Sequence, residues 1–104
     1  MLPPQRDFEE LAFAELAEKL DEPPLFKVLL HNDDFTTMDF VIWVLASIFN
    51  MTDETAMKVM LNVHLHGVGV AGIYTHEIAE MKVDLTTALA REHEYPLLCT
   101  IEEA

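Results

Sequence analysis

The 104-residue chain predicts a small single-domain α/β (α+β) sandwich, ordered β-α-α-β-α-β, with three helices packed on a three-stranded, mainly antiparallel sheet. Three observations carry this. Short apolar runs at residues 25–30, 68–75 and 97–101 read as strands. Thr36, Thr52 and Thr75 stand where helices should start. Apolar residues make up 51% of the chain, enough for one core, while the length leaves no room for a second.

The first 24 residues stand apart. They hold Asp7, Glu9, Glu10, Glu15, Glu18, Asp21 and Glu22 against only Arg6 and Lys19, between Pro3-Pro4 and Pro23-Pro24. Phe8, Leu11, Ala12, Leu16 and Leu20 fall near helical spacing, which fits a transient or docked amphipathic helix. Pro23-Pro24 breaks any such helix and forces an extended link. Residues 1–24 therefore read as an acidic extension and residues 25–104 as the core domain.

The core opens with the strand at 25–30, whose one charge is Lys27. His31-Asn32-Asp33-Asp34-Phe35 is turn chemistry, since Asn and Asp bend the chain through local side-chain bonds. Thr36-x-x-Asp39 matches a capping box, so the first helix should start near residue 37 and run to about residue 50. It is apolar on most sides, which fits a sandwiched helix or one exposing an apolar binding face. Thr52 caps the second helix, with Asp53 and Glu54 in the first turn, where the helix dipole favours acids. Ala56, Val59, Met60 and Val63 form its inner stripe, and Gly67 suits its end. The strand at 68–75 carries glycines where a backbone or side chain approaches closely. Thr75 caps the third helix, with Ile78, Met81, Leu85, Ala88 and Leu89 expected on its inner face. Tyr95-Pro96 leads into the last strand.

Composition narrows the function. The net charge is −13, and the six basic residues do not cluster, which argues against nucleic acid as a partner, since phosphate binding needs a Lys/Arg surface. No apolar run approaches the roughly 20 residues of a membrane span. The opening MLPPQRDFEE has no basic region followed by an apolar core, so no secretory signal is expected. The single Cys99 cannot form an internal disulfide, which points to a reducing cytoplasm. Gly67, Gly69 and Gly72 lack the βαβ context of a phosphate loop. Ser47 is the only serine and lies in mid-helix, so no Ser-His-Asp set is visible, and Cys99 in an apolar strand reads as an inert core residue. His64 and His66 would diverge around a helix, and no Cys pair or H-E-x-x-H accompanies them. No catalysis, metal or cofactor is expected.

One constellation remains. Asn32, Asp33 and Asp34 precede one helix, His64 ends another, and Met38, Val41, Met60, Val63 and Leu97 flank them. If the two helices lie side by side, an apolar pocket forms with polar acceptors at its mouth: an amide carbonyl, a carboxylate and a ring nitrogen. Such a mouth suits an ammonium group, and the space below suits a large apolar side chain. A free protein N-terminus with a bulky first residue has both. The alternative is that residues 32–34 only turn the chain and the methionines fill the core; periodicity by itself favours that alternative.

At these residues the sequence resembles the ClpS adaptor family of the bacterial Clp protease. The matching motifs are Val28-Leu29-Leu30-x-Asn32-Asp33-Asp34-Phe35-Thr36-x-Met38-x-Phe40-Val41, Met60-Leu61-x-Val63-His64, Gly72-Ile73-Tyr74-Thr75-x-Glu77-Ile78-Ala79-Glu80-x-Lys82-Val83 and Pro96-Leu97-Leu98-Cys99-Thr100. They span the domain from about Pro24 to the C-terminus. The resemblance implies a monomeric adaptor without catalysis or cofactor. It would bind N-degrons, meaning free N-terminal Leu, Phe, Tyr or Trp, and hand them to the AAA+ unfoldase ClpA or a relative for degradation by ClpP. By position, Asn32, Asp33 and His64 would hold the substrate's α-amino group and first peptide unit. Asp34, Thr36, Met38, Val41, Met60, Val63 and Leu97 would form the pocket wall and rim, with Met38 excluding β-branched side chains. Glu77 and Lys82 would belong to the surface that docks on the unfoldase N-domain, and the extension would be the segment the unfoldase engages. Thr37 departs from the family's usual Pro, which presets the backbone angle; slightly lower stability and an intact pocket are expected. The strong acidity leaves open which unfoldase is used. Two rivals stand beside this reading: a general peptide- or ribosome-associated module of the same fold, and a divalent-metal site at Asp33, Asp34 and His64.

Overall fold

A computed structural model describes residues 10, 12 and 23–104. The amphipathic pattern of Phe8, Leu11, Leu16 and Leu20 lies outside the described residues, although Glu10 and Ala12 are themselves helical and exposed. The elements are β1 (Leu25–His31), α1 (Met38–Ser47), α2 (Asp53–His66), β2 (Val68–Thr75), α3 (His76–Glu92) and β3 (Leu98–Glu103), in the order the sequence predicts. No helix among the described residues is long and apolar enough to cross a membrane.

The sheet order is β2-β1-β3, and both pairings are antiparallel. The first strand is thus the central one, hydrogen-bonded on both edges. Val28 and Leu30 on its inner face are fully buried, each contributing roughly 1.5–3 kcal/mol by leaving water. Leu30 stands opposite Gly69 on one side and Cys99 on the other, so one face of all three strands meets the helices. Gly69 makes room there: a Cβ would come within 2.6 Å of Val63 Cγ2, so a side chain would force the buried Val63 side chain to shift. The register shifts between Val28 and Leu29, where Ala71 is the extra residue on β2. Gly67, Gly69 and Gly72 fall at G-x-G-x-x-G spacing, but they end a helix and line a strand rather than lead from a strand into a helix, so no phosphate cradle forms.

Helix starts follow the threonines, with two changes. The cap of α1 is Thr37 and not Thr36: Thr37 Oγ1 accepts from Phe40 N at 3.2 Å. The Thr36 hydroxyl is already committed to the Asp33 carboxylate, so the expected Thr36–Asp39 capping box is absent. Thr75 precedes α3, but its side chain makes no capping bond. Thr52 caps α2 as expected, accepting from Thr55 N at 3.2 Å, and Gly67 ends that helix in the left-handed region at φ 86°.

The larger correction concerns α3. Its buried positions are Ala79, Thr86 and Ala90, with Val83 and Leu89 half-buried against the core. Ile78, Met81 and Leu85, expected inside, are 40%, 59% and 50% exposed, and Ala88 is exposed as well. The inner row 79-83-86-90 keeps helical spacing but uses small residues, which let the helix lie close across the sheet. The fully buried Thr86 hydroxyl has no oxygen or nitrogen partner. It lies against the buried Cys99 thiol, which desolvation pushes up to about 11 against the opposing pull of Thr86. The thiolate is therefore scarce near neutral pH.

Candidate functional site

The pocket begins where β1 ends. Asn32 N donates to Gly67 O at 2.8 Å, and Gly67 N donates to Val63 O at 2.8 Å. These two bonds tie the end of β1 to the end of α2, which sets Asn32 and Asp33 beside His64. The next residues fold around one carboxylate. Asp33 Oδ1 accepts from Phe35 N at 2.8 Å and Thr36 N at 2.7 Å, and Oδ2 accepts from the Thr36 hydroxyl at 2.7 Å. This turn delivers the chain to Thr37 and α1.

Between the turn, α1 and α2 lies a cavity of about 460 Å³, within the roughly 300–1,000 Å³ of small-ligand sites. Val41, Met60 and Val63 make its floor and are buried; Met38 at 45% and Phe35 at 76% exposure stand at its rim. Asn32, Asp33, Asp34, Thr36, Thr37 and His64 complete the wall and mouth. A carboxylate accepts about four hydrogen bonds, and Asp33 receives three, leaving one acceptor site for a ligand. Partial burial raises the Asp33 pKa, but the bonds from Thr36 and Phe35 outweigh it, and the net direction is down from 3.8. Asp33 is thus a fixed anion at neutral pH. The arrangement can hold a cationic donor at the mouth while an apolar group fills the floor.

Of the residues singled out from the sequence, Asn32, Asp33, Asp34, Thr36, Met38, Val41, Met60, Val63 and His64 come together around this cavity. Leu97 does not line it; it is 1% exposed and sits in the core cluster that also holds Val41, Met60 and Val63. Phe35 and Thr37 line the cavity without having been assigned to it. An aromatic residue inside an otherwise polar turn was the available signal for Phe35; Thr37 had been weighed only as a helix start. Among the described residues no group of three or more His, Cys, Asp or Glu side chains is placed to hold a metal, so Asp33, Asp34 and His64 do not form a ligand set.

Glu77 and Lys82 lie elsewhere, on α3. Five residues apart, they are about 140° apart around the helix axis. Glu77 is exposed in the first turn. Lys82 is half-buried: Nζ donates to Ile48 O at 2.6 Å, beyond the end of α1, and stands 5.9 Å and 5.6 Å from the centres of the Phe49 and Tyr74 rings. No basic residue of α1 itself serves its last turn, so Lys82 supplies the cation that a helix C-terminus favours.

The fold and site define a small α/β module with a preformed apolar pocket and an anionic, hydrogen-bonding mouth. Comparison with known proteins carries this further: residues 21–100 match the family described as ATP-dependent Clp protease adaptor protein ClpS, and the chain belongs to that family, one of adaptors and not of enzymes. It is 52% identical over 94 residues to the ATP-dependent Clp protease adapter protein ClpS of Methylococcus capsulatus, covering 90% of this chain and 89% of that one. It is 47% identical over 98 residues to that of Nitrosospira multiformis, covering 94% and 96%. The solved structure of Agrobacterium tumefaciens ClpS2 bound to L-phenylalaninamide superposes with a TM-score of 0.77 at 38% identity, over 80% of this chain and all of that one.

Proposed function

We propose that this adaptor captures proteins by a free N-terminal Leu, Phe, Tyr or Trp and delivers them to the AAA+ unfoldase ClpA or a relative for degradation by ClpP. The observation that carries the reading is the Asp33 carboxylate, held ionised by its own turn with one acceptor site unspent, above a floor of Val41, Met60 and Val63. A free amino terminus is a cation attached one carbon from its side chain, so a first residue can fill both halves of the site together, which an internal residue cannot. L-Phenylalaninamide, the ligand of the related Agrobacterium structure, has that chemistry: a free α-amine and a bulky apolar side chain.

In this reading the Asn32 carbonyl and a His64 ring nitrogen accept further hydrogen bonds from the α-amine and the first peptide unit, and Asp34 and Thr36 complete the rim. Met38, at the lip, blocks side chains branched at Cβ. Leu97 backs the floor from the core. Residues 1–24 act as the segment the unfoldase grips, and docking on its N-domain involves Glu77 on the exposed side of α3, with Lys82 shaping the neighbouring surface from inside. The adaptor acts in the cytoplasm as a monomer.

A degradation assay tests delivery. A Leu-first reporter should be turned over by ClpA and ClpP when the adaptor is present. Removing residues 1–22 should leave peptide affinity nearly unchanged, because the pocket lies wholly within the core, and should stop turnover. Turnover at full speed with the truncated chain would remove the extension from the mechanism.

A further inference from the structure

Thr37 serves two partners with one oxygen. Its hydroxyl accepts from Phe40 N at 3.2 Å and donates to the Tyr95 phenol oxygen at 3.4 Å. The residue caps α1, lines the cavity and directly precedes Met38 at the lip. Tyr95, 58 positions later, is held firmly in place. Its N–H donates to Ala90 O at 2.8 Å, Arg91 Nη1 donates to its carbonyl at 2.6 Å, and its ring packs on Phe40 at 4.7 Å between centres. The end of α3 thus supports the lip of a pocket built from α1 and α2.

We infer that Tyr95 is a positioning residue for the pocket lip, acting through the Thr37 hydroxyl to set how sharply the site separates Leu-first from Ile-first ligands. This rests on the N-terminus-binding reading above. Thr37 sits at φ −71° and ψ 152°, and a proline ring fixes that φ without any partner. Threonine has no such lock, and the bond to Tyr95 restricts it from outside. A drift of Thr37 moves Met38, whose side chain guards against a Cβ branch. The hydroxyl–hydroxyl contact is long, so its loss should alter selectivity by a few-fold and leave the fold in place.

The test is a cycle of Tyr95→Phe and Thr37→Pro, read as the ratio of affinities for Leu-first and Ile-first peptides by fluorescence anisotropy. Tyr95→Phe removes one oxygen and keeps the ring on Phe40. In the unaltered background it should narrow the ratio roughly 2- to 5-fold, the size of one modest hydrogen bond. In the Thr37→Pro background, where the ring supplies the restraint, Tyr95→Phe should change nothing. Should Thr37→Pro not fold, Thr37→Val provides a second background without the hydroxyl, and Tyr95→Phe should again be silent. Equal narrowing in both backgrounds, or none in the unaltered chain, overturns the inference while the pocket reading stands. Failure of the unaltered chain to distinguish first residues at all overturns the pocket reading, and the inference with it.

Discussion

The two ends of α1 are finished by the same kind of device and left in opposite states. At the C-terminal end, Lys82 reaches in from α3, caps Ile48 O and lies over the Phe49 and Tyr74 rings. At the N-terminal end, Asp33 gathers Phe35 and Thr36 into a turn and Thr37 caps the helix. The half-buried Lys82 ammonium is turned toward its own molecule, onto the Ile48 carbonyl and two aromatic rings. The Asp33 charge organises its own backbone and still faces an open cavity with room for another donor. A charge turned onto its own fold makes a structural joint; a preorganised charge that faces an open cavity is suited to a ligand.

This contrast can be broken first at the clasp. Lys82→Met keeps most of the side-chain length and removes the donor and the charge. Loss of a charged hydrogen bond and two partly buried cation–ring contacts should lower stability by about 1–3 kcal/mol, seen as an earlier midpoint in urea unfolding. Affinity for a Leu-first peptide should stay within about twofold. Unchanged stability would mean that Lys82 is a free surface group and that the clasp carries no weight.

The turn gives a smaller and pH-dependent effect. Asp33→Asn keeps an acceptor but loses the charge, for about 0.5–1.5 kcal/mol of stability at neutral pH. The folded pKa of Asp33 lies below its ordinary 3.8, so its contribution is full above that value and disappears as pH falls through the folded pKa. The stability gap between the unaltered chain and Asp33→Asn should be level from pH 7 to 5 and close in the range below about 3.8. A gap that persists unchanged in strong acid would show that the carboxylate's charge is not what holds the turn.

How much of this could be read beforehand differs between elements for physical reasons. The strand and helix order was legible because threonines, glycines and prolines punctuate apolar runs of distinct period. The inner face of α3 was not, because large apolar residues attracted the assignment while Ala79, Thr86 and Ala90 fill the tight space over the sheet. The capping-box pattern pointed to Thr36 as the cap of α1, but Asp33, three residues upstream, holds its hydroxyl and the cap falls to Thr37. The pocket residues were identified by resemblance, since periodicity alone also allowed a bare turn with methionines as filler. Leu97 belonged with them in sequence but lies deeper, in the core. The Lys82 contact joins residues 34 apart, a distance at which no local pattern speaks.

The central claim is that the pocket reads a free amino terminus and a bulky unbranched side chain as one unit. Titrating the unaltered chain with peptides identical beyond their first residue tests it most directly, using Leu, free and N-acetylated, beside Val. Free Leu-first peptide should bind. Acetylation removes the cation and leaves the Asp33 acceptor unpaired, which should weaken binding by about 10-fold to 100-fold or more. Val-first peptide should bind far more weakly than Leu-first. Equal binding of the free and acetylated Leu peptides would contradict the account, whatever the response to Val.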